Sequence, residues 1–142
     1  DGGCHGNPGP GAWAFVIQLS DDIERSGGEL QTTNNRMELQ AVIEALLYIV
    51  RQECSNRAVN IHTDSQYVRN GITTWIRAWL RNGWKTAARK PVKNQDLWVR
   101  LHELDERVQP VWKWVRGHAG NTLNERCDQL VQNQLSQLKS QD

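Results

Sequence analysis

The sequence predicts a single α/β domain built on a mixed β-sheet. The chain has 142 residues, which is the usual size of one domain with its own core. Segments rich in β-branched and aromatic residues come first, and segments with helical spacing of apolar residues then alternate with further strands. Because no internal repeat or linker divides the sequence, we expect one domain over residues 1–142.

The first half of the chain contains two predicted strands and a long helix. "GAWAFVIQL" (Gly11–Leu19) follows the turn-forming "GNPGPG" and is predicted to be a strand. A second strand is expected near Glu24–Leu30. From Asn35 to about Arg51 the apolar residues recur every three or four positions, which predicts a helix.

The second half is predicted to alternate strands and helices. "AVNIHTD" (Ala58–Asp64) alternates as a strand does, and two shorter helical pieces are expected over Ser65–Trp79. "NQDLWVRLHEL" indicates another helix. "VWKWVRGH" (Val111–His118) is predicted to be a strand with its tryptophans on one face, and a last helix is expected over roughly Leu123–Leu138.

Positive charge is concentrated in one segment. The formal net charge of the chain is only +1, but Arg69–Arg100 carries eight basic residues against one acidic residue, a local charge of +7. The remainder therefore has a net charge of about −6. Such a segment suits a polyanionic partner or forms a solvated face.

Cysteine usage and hydropathy indicate the compartment. The three cysteines, Cys4, Cys54 and Cys127, are an odd number without CxxC spacing, so neither a disulfide framework nor a structural zinc site is expected. No apolar run approaches the length that spans a membrane, and no signal peptide precedes the first residue. We expect a cytoplasmic monomer without a membrane partner.

Glu38 is the first candidate for chemistry. On a helix it shares a stripe with Ala41, Val42, Ala45 and Ile49, so the carboxylate should face the sheet rather than solvent. The structural alternative is an acid that caps the helix, whose N-terminus favours negative charge. Position alone does not decide between the two.

Three further acids are predicted to lie near strand ends or on an inward helix face. Asp64 ends a predicted strand, Asp128 is in register with Val131 and Leu135, and Asp1 precedes a glycine-rich loop. Each has an ordinary explanation as a turn, helix or loop residue. Carboxylates packed together without a basic partner need a cation, and hard oxygen ligands suit Mg²⁺ or Mn²⁺.

Five blocks of the sequence carry a resemblance to a known family. In order, and over nearly the whole chain, they are "DGGCHGNPGPG", "TTNNRMEL", "TDSQYVRNGI", "WIRAWLRNGWKTAARKPVKNQDLW" and "WVRGHAGNTLNERCDQL". Together they resemble bacterial ribonuclease HI, the type 1 ribonuclease H family. The resemblance implies a ribonuclease H-like fold, with a five-stranded mixed sheet flanked by helices and a basic protrusion. It also implies hydrolysis of the RNA strand of RNA–DNA hybrids to 5′-phosphate and 3′-hydroxyl ends.

The resemblance implies a catalytic set that includes the acids already singled out. Matched position by position, the metal-binding carboxylates are Asp1, Glu38, Asp64 and Asp128, which would hold two Mg²⁺ ions, with Mn²⁺ as a substitute. His118 would assist proton transfer and product departure. On its own, a histidine in a glycine-flanked loop would be interpreted as a solvated bystander.

Amide side chains are implied to contact the RNA strand. Recognition of 2′-hydroxyl groups requires neutral groups that both donate and accept hydrogen bonds. The resemblance gives four candidates and a weaker fifth, Asn70; the four are Asn7, Asn34, Asn35 and Gln66. Helix capping is the structural alternative for Asn34 and Asn35.

The DNA strand is implied to lie along an aromatic and basic surface. The candidates interleave three tryptophans with three basic residues: Trp75, Trp79, Trp84, Arg77, Arg81 and Lys85. Core packing of the tryptophans and a solvated basic face are the alternatives. Thr33 and Asn94 match a phosphate pocket, although Gln31 stands where many members of the family have arginine.

Two competing functions and one structural expectation accompany the resemblance. A DNA-directed nuclease of the same fold would use similar acids, and a hybrid-binding module would lack catalysis. The amides argue against the first, and the four carboxylates argue against the second.

A strand of about five or six residues is expected ahead of Asp1. A free α-amino group at Asp1 would place positive charge beside the metal site.

Overall fold

The protein is described by a computed structural model that covers residues 1–19, 21–52, 58–116 and 122–140, with the side chains of residues 139 and 140 left out. In this part of the chain the predicted strands and helices occur in the predicted order, and Gly2–Cys4, expected to belong to a glycine-rich loop, forms an additional strand. The strands are β1 Gly2–Cys4, β2 Gly9–Ile17, β3 Ile23–Thr32, β4 Asn60–Thr63 and β5 Val111–Trp114. The α-helices are α1 Asn34–Arg51, α2 Gln66–Asn70, α3 Ile76–Arg81, α4 Gln95–Val108 and α5 Thr122–Ser140.

The strands of the described residues form two sheets instead of the single five-stranded sheet expected. β1, β2 and β3 form an antiparallel sheet, and β4 pairs in parallel with β5. The physical reason is that β1 is short and pairs only with Gly11–Trp13 of β2. Among the described strands none pairs with the second edge of β4.

Two groups of apolar side chains hold the helices on the strands. α1 and α4 share the larger core, in which Leu39, Ile43, Trp98 and Leu101 are fully buried. α5 packs Val131 and Leu135 onto the small, completely buried Ala12 and Ala14 of β2. Small residues on β2 let this helix approach the sheet closely, which carries Asp128 toward the ends of the strands.

The predicted pair of short helices proves to be three consecutive helical segments. α2 passes into a π-helical turn, Gly71–Trp75, and then into α3. At Gly71 the backbone lies against the indole of Trp98, since a Cβ atom there would be 1.9 Å from its Cη2 atom. The wide turn brings Trp75 toward solvent while Ile76 stays buried.

The start of α1 shows which residue caps this helix, and so tests the capping alternatives given for Glu38 and for Asn34 and Asn35. Thr33 is the residue that caps the helix, because its Oγ1 atom accepts a hydrogen bond from the backbone N–H of Arg36 at 3.3 Å. Asn34 and Asn35 lie inside the first turn, so capping does not account for them. The first turn contains no acid, and Glu38 lies beyond it. The capping explanation of Glu38 is therefore wrong.

The strand β5 confirms the expected alternation of its faces. Trp112 and Trp114 lie on one face with ring centroids 5.4 Å apart and nearly parallel planes. The Trp112 indole N–H donates to Asp105 of α4 at 2.9 Å, which fixes this helix beside the strand. The predicted strand over Val111–His118 ends at Trp114, and its last two positions lie outside the described residues.

A cavity of about 350 Å³ separates the edges of β2 and β4. It is lined by apolar side chains of both strands and of α1, among them Phe15, Ile17, Val42 and Ile61. The backbone nitrogen of Asp1 donates to Ala14 O at 2.9 Å at its margin. The strand expected ahead of Asp1 stays a prediction, and the space between these two strand edges is where it would pair.

An extension of the chain tests this interpretation. About six residues of alternating apolar character, joined ahead of Asp1, should lie in the cavity and pair with both strand edges. We expect the melting temperature to rise, because the extension adds backbone hydrogen bonds and buries apolar surface. A Gly/Ser extension of equal length is the control, and equal melting temperatures for the two would contradict the interpretation.

Candidate active site

A cavity of about 620 Å³ lies at the carboxyl end of β4. All four predicted carboxylates line it: Asp1, Glu38, Asp64 and Asp128. They come from separate parts of the chain, namely the start of β1, α1, the residue after β4, and α5. The fold therefore brings together four acids that are far apart in sequence.

Local structure explains how each acid reaches the cavity. Asp64 directly follows β4, at the sheet edge where ligands of α/β proteins commonly bind. Glu38 and Asp128 lie on helices whose neighbouring residues are buried, so both carboxylates start from a core-facing side. The carboxylate of Asp1 accepts a hydrogen bond from Gly2 N at 2.9 Å, which orients it.

The carboxyl group of Glu38 has a raised pKa. Loss of water around it is the main cause, and repulsion from Asp64 acts in the same direction. The hydroxyl of Ser65 opposes this shift by donating a hydrogen bond to Glu38 Oε2 at 2.5 Å. Glu38 is thus an acid whose ionised form is costly unless a donor or a cation stabilises it.

Ser65 is a site residue that the sequence analysis missed. It is buried, and its Oγ atom accepts from Val68 N at 3.1 Å while it donates to Glu38. It therefore caps α2 and holds a predicted metal ligand with the same atom. A serine immediately before the helical pattern of "QYVRN" was the available sequence signal.

The backbone nitrogen of Asp1 lies among the acids. Burial lowers the pKa of this terminal amino group, while the negative charges of Asp64 and Glu38 act in the opposite direction. The balance is a lowered pKa, which reduces the positive charge at the edge of the site.

The donor chemistry of the cavity fits a hard divalent cation. Four carboxylates provide only oxygen ligands, which Mg²⁺ and Mn²⁺ prefer. Within the described ranges, however, no group of three His, Cys, Asp or Glu side chains converges closely enough to hold a metal ion.

The predicted RNA-contacting amides divide into two groups. Asn35, Gln66 and the weaker candidate Asn70 line the same cavity as the carboxylates. Asn7 and Asn34 lie outside its lining and are joined by a hydrogen bond from Asn34 N to Asn7 Oδ1 at 3.0 Å. The structure thus places three of the five amide side chains directly beside the acids.

The predicted aromatic surface forms a continuous row. The ring centroids of Trp75 and Trp79 are 5.8 Å apart, and those of Trp79 and Trp84 are 6.2 Å apart. Trp79 and Trp84 also pack against the larger core, whereas Trp75 is 36% exposed and lines the cavity. Packing against the core thus explains in part why two of the three tryptophans, Trp79 and Trp84, lie where they do.

The basic residues and the predicted phosphate pocket are the remaining candidates for contact with the DNA strand. Arg77, Arg81 and Lys85 are exposed, which agrees both with nucleic-acid contact and with a solvated face. Thr33 and Asn94 precede different helices, and both are hydrogen-bonded to Arg36. Gln31 is exposed at the end of β3. His118 lies outside the described residues.

The raised pKa of Glu38 predicts a stability effect of its replacement. Ionisation of a carboxyl group with a raised pKa costs stability, and this cost appears as the pH rises through the raised value. Without divalent cations, Glu38→Gln should therefore raise the melting temperature more at about pH 8 than at about pH 4. Glu44→Gln, on the same helix but outside the cavity lining, is the control. An effect of Glu38→Gln that does not change with pH would contradict the argument.

Comparison with known proteins gives consistent matches. The family model for RNase H matches residues 1–136. A ribonuclease H from Treponema denticola is 50% identical over 145 residues, which cover 92% of this chain and 91% of the relative. A ribonuclease H from Rhizobium meliloti is 53% identical over 140 residues, covering 98% of this chain and 89% of the relative.

Solved structures agree with these matches. The crystal structure of LC9-RNase H1, a type 1 RNase H with the type 2 active-site motif, superposes with a TM-score of 0.78 at 31% identity, covering 97% of this chain and 70% of that chain. LC11-RNase H1 in complex with an RNA/DNA hybrid has a TM-score of 0.70 at 24% identity, covering 96% of this chain and 94% of that chain, and supports the fold alone. The expected ribonuclease H-like fold is confirmed, and this chain belongs to the ribonuclease H family.

Proposed function

We propose that this chain is an endonuclease that hydrolyses the RNA strand of RNA–DNA hybrids and leaves 5′-phosphate and 3′-hydroxyl ends. The observation that carries the proposal is the cavity whose lining includes four carboxylates and three amide side chains. Carboxylates are needed for phosphodiester hydrolysis with metal ions, and amides are needed for 2′-hydroxyl recognition. Membership of the ribonuclease H family supports the same activity.

The carboxylates Asp1, Glu38, Asp64 and Asp128 are the residues that would hold two Mg²⁺ ions. When bound, such ions activate a water molecule and stabilise the leaving oxygen of an in-line displacement. Ser65 orients Glu38 and lowers the cost of its ionised form. His118 is proposed to move a proton at the departing product, in agreement with the family pattern.

The two strands of the hybrid are proposed to contact different surfaces. Asn7, Asn34, Asn35 and Gln66 would contact the RNA strand, where neutral amides recognise the sugar instead of the base. The DNA strand would contact the basic and aromatic row described above: Trp75, Trp79, Trp84, Arg77, Arg81 and Lys85. Thr33 and Asn94 would bind one of its phosphates. Weak sequence preference follows, since none of these groups is assigned to a base edge.

The competing functions account for less of the site. A DNA-directed nuclease of this fold has no use for Asn35 and Gln66 beside its acids. A binding module without catalysis has no need for four carboxylates in one cavity, because they repel the phosphates that it binds. Hydrolysis of a labelled hybrid, compared with single-stranded RNA, double-stranded RNA and double-stranded DNA, distinguishes the three functions.

The compartment and the oligomeric state of the protein are proposed from the sequence. No helix in the described part of the chain is long and apolar enough to cross a membrane. Cys4 and Cys127 are free thiols, which suits a reducing compartment. We propose a cytoplasmic monomer that consists of one ribonuclease H domain.

Replacement of Asp64 tests the catalytic assignment. Asp64→Asn keeps the shape of the side chain but removes its charge, so hydrolysis should fall by several orders of magnitude while hybrid binding persists. Asp105→Asn is the control, because Asp105 is a partly buried carboxyl that contacts Trp112 outside the cavity. Activity of Asp64→Asn within about tenfold of the parent would contradict the metal assignment.

The basic surface is tested by the salt dependence of hybrid binding. Alanine at Arg77, Arg81 and Lys85 should weaken binding and reduce the slope of log affinity against log salt by about one for each phosphate that is no longer neutralised. The turnover number at saturating substrate should change much less.

A matched triple variant controls for the loss of charge. Arg51, Arg107 and Lys113 are also exposed or partly exposed but belong to α1, α4 and β5 outside the basic segment. Their replacement by alanine removes the same charge and should leave the slope nearly unchanged. Equal slopes for the two triple variants would mean that the basic segment is only a solvated face.

A further inference from the structure

An ion pair links the first turns of α1 and α4. Arg36 donates from Nη1 to Asp96 Oδ1 at 3.0 Å and from Nη2 to Asp96 Oδ2 at 2.8 Å. Two parallel hydrogen bonds fix the plane of the guanidinium group, which a single contact would not do. The side chains are 31% and 65% exposed, respectively, so the pair is expected to add little to stability.

The same guanidinium group holds the side chain of Asn94. Arg36 Nη1 donates to Asn94 Oδ1 at 3.3 Å, and Asn94 Nδ2 donates to the Tyr67 hydroxyl oxygen at 3.0 Å. Trp98 Nε1 donates to the same oxygen at 3.0 Å. A reversed amide would place its NH₂ group against the cation, so Arg36 sets which end of the amide faces Tyr67.

The backbone of Asn94 agrees with a role for its side chain outside helix capping. Its φ angle of 61° lies in the left-handed region, and its side chain makes no capping hydrogen bond although it directly precedes α4. Only one of the two hydrogens on Nδ2 is used by Tyr67. The second hydrogen is available to an acceptor outside the protein.

Thr33 provides a second donor beside this amide. Its Oγ1 atom accepts from Arg36 N, which leaves the hydroxyl hydrogen available for donation. Arg36 therefore contacts both Thr33 and Asn94, the former through its backbone and the latter through its side chain. The distance between the two donors depends on the ion pair that joins their helices.

We propose that Arg36 and Asp96 are positioning residues for a single phosphate of the DNA strand, which Thr33 and Asn94 bind. The inference rests on the proposed function and deepens it. Neither charged residue needs to touch the phosphate: Asp96 fixes the guanidinium plane, and the guanidinium group fixes the amide. Because Asp96 balances the positive charge of Arg36, Arg36 contributes to phosphate binding by orienting the side chain of Asn94. It does not contribute as a free positive charge.

The test combines variants with hybrids in which one DNA phosphate at a time is replaced by a neutral methylphosphonate. For the parent enzyme, one position should raise KM by about tenfold, the loss expected for charge-assisted hydrogen bonds. For Asp96→Asn, KM with the unmodified hybrid should rise by a similar factor, and the same methylphosphonate should add no more than about twofold. The turnover number should change much less than KM, because neither Arg36 nor Asp96 lines the cavity that holds the four carboxylates.

A second variant and a matched control keep the test decisive. Arg36→Lys retains the charge but cannot form the forked pair, so it should also lose the methylphosphonate effect. Glu24→Gln removes a comparable paired contact, between β3 and Arg126 of α5, and should keep the effect in full. Loss of the effect in both Asp96→Asn and Arg36→Lys, but not in Glu24→Gln, supports the proposal.

The outcomes also separate this inference from the proposed function. A methylphosphonate effect that persists in Asp96→Asn or Arg36→Lys would overturn the positioning role, and the hydrolytic function would remain. Melting temperatures that fall without a change in KM would likewise assign the ion pair to stability alone. A parent chain that neither binds nor cleaves the hybrid would instead overturn the proposed function.

Discussion

Burial of the Glu38 carboxyl group in a cavity lined by three other acids is the constraint on which the rest of the structure depends. Glu38 loses hydration and faces Asp64, so its ionised form is disfavoured. The fold opposes this with a serine hydroxyl, a nearby backbone nitrogen and rigid helices that keep the acids in place. Ionised acids held in such a cavity lower the stability of the fold, and they also attract cations.

The scaffold meets this constraint by drawing each acid from a different element. β4 and α1 bring Asp64 and Glu38 to the cavity, and Ser65 joins α1 to α2 through one oxygen atom, which contacts Glu38 and Val68 N. α5 brings Asp128 because Ala12 and Ala14 of β2 are small enough for close packing. A change in the packing of any one element would therefore alter the distances between charges.

Recognition in the proposed function is divided between two kinds of surface that share an aromatic scaffold. Neutral amides lie beside the carboxylates, where additional positive charge would compete with cations. Basic side chains lie farther along the chain, around a row of tryptophans. Tyr67 contacts both regions, since it lines the cavity and its ring lies 5.7 Å from that of Trp75. Its hydroxyl oxygen also accepts a hydrogen bond from Asn94.

The sequence by itself determined the family and the order of most elements, and it predicted four acids that the fold brings to one cavity, because periodicity and motif spacing are local properties of a chain. Glu38 could be placed on an inward helix face from residues within about three turns of it. The tryptophans of β5 could be assigned to one face for the same reason. Only the tertiary structure decided which polar groups meet. The contact of Ser65 with Glu38 joins residues 27 positions apart, and the contact of Arg36 with Asp96 joins residues 60 positions apart. The division into two sheets depended on how far β1 extends along β2, which no local pattern encodes. Shifts in pKa and the orientation of amides depend on burial and on partners from other elements, so they arise only when the chain is folded.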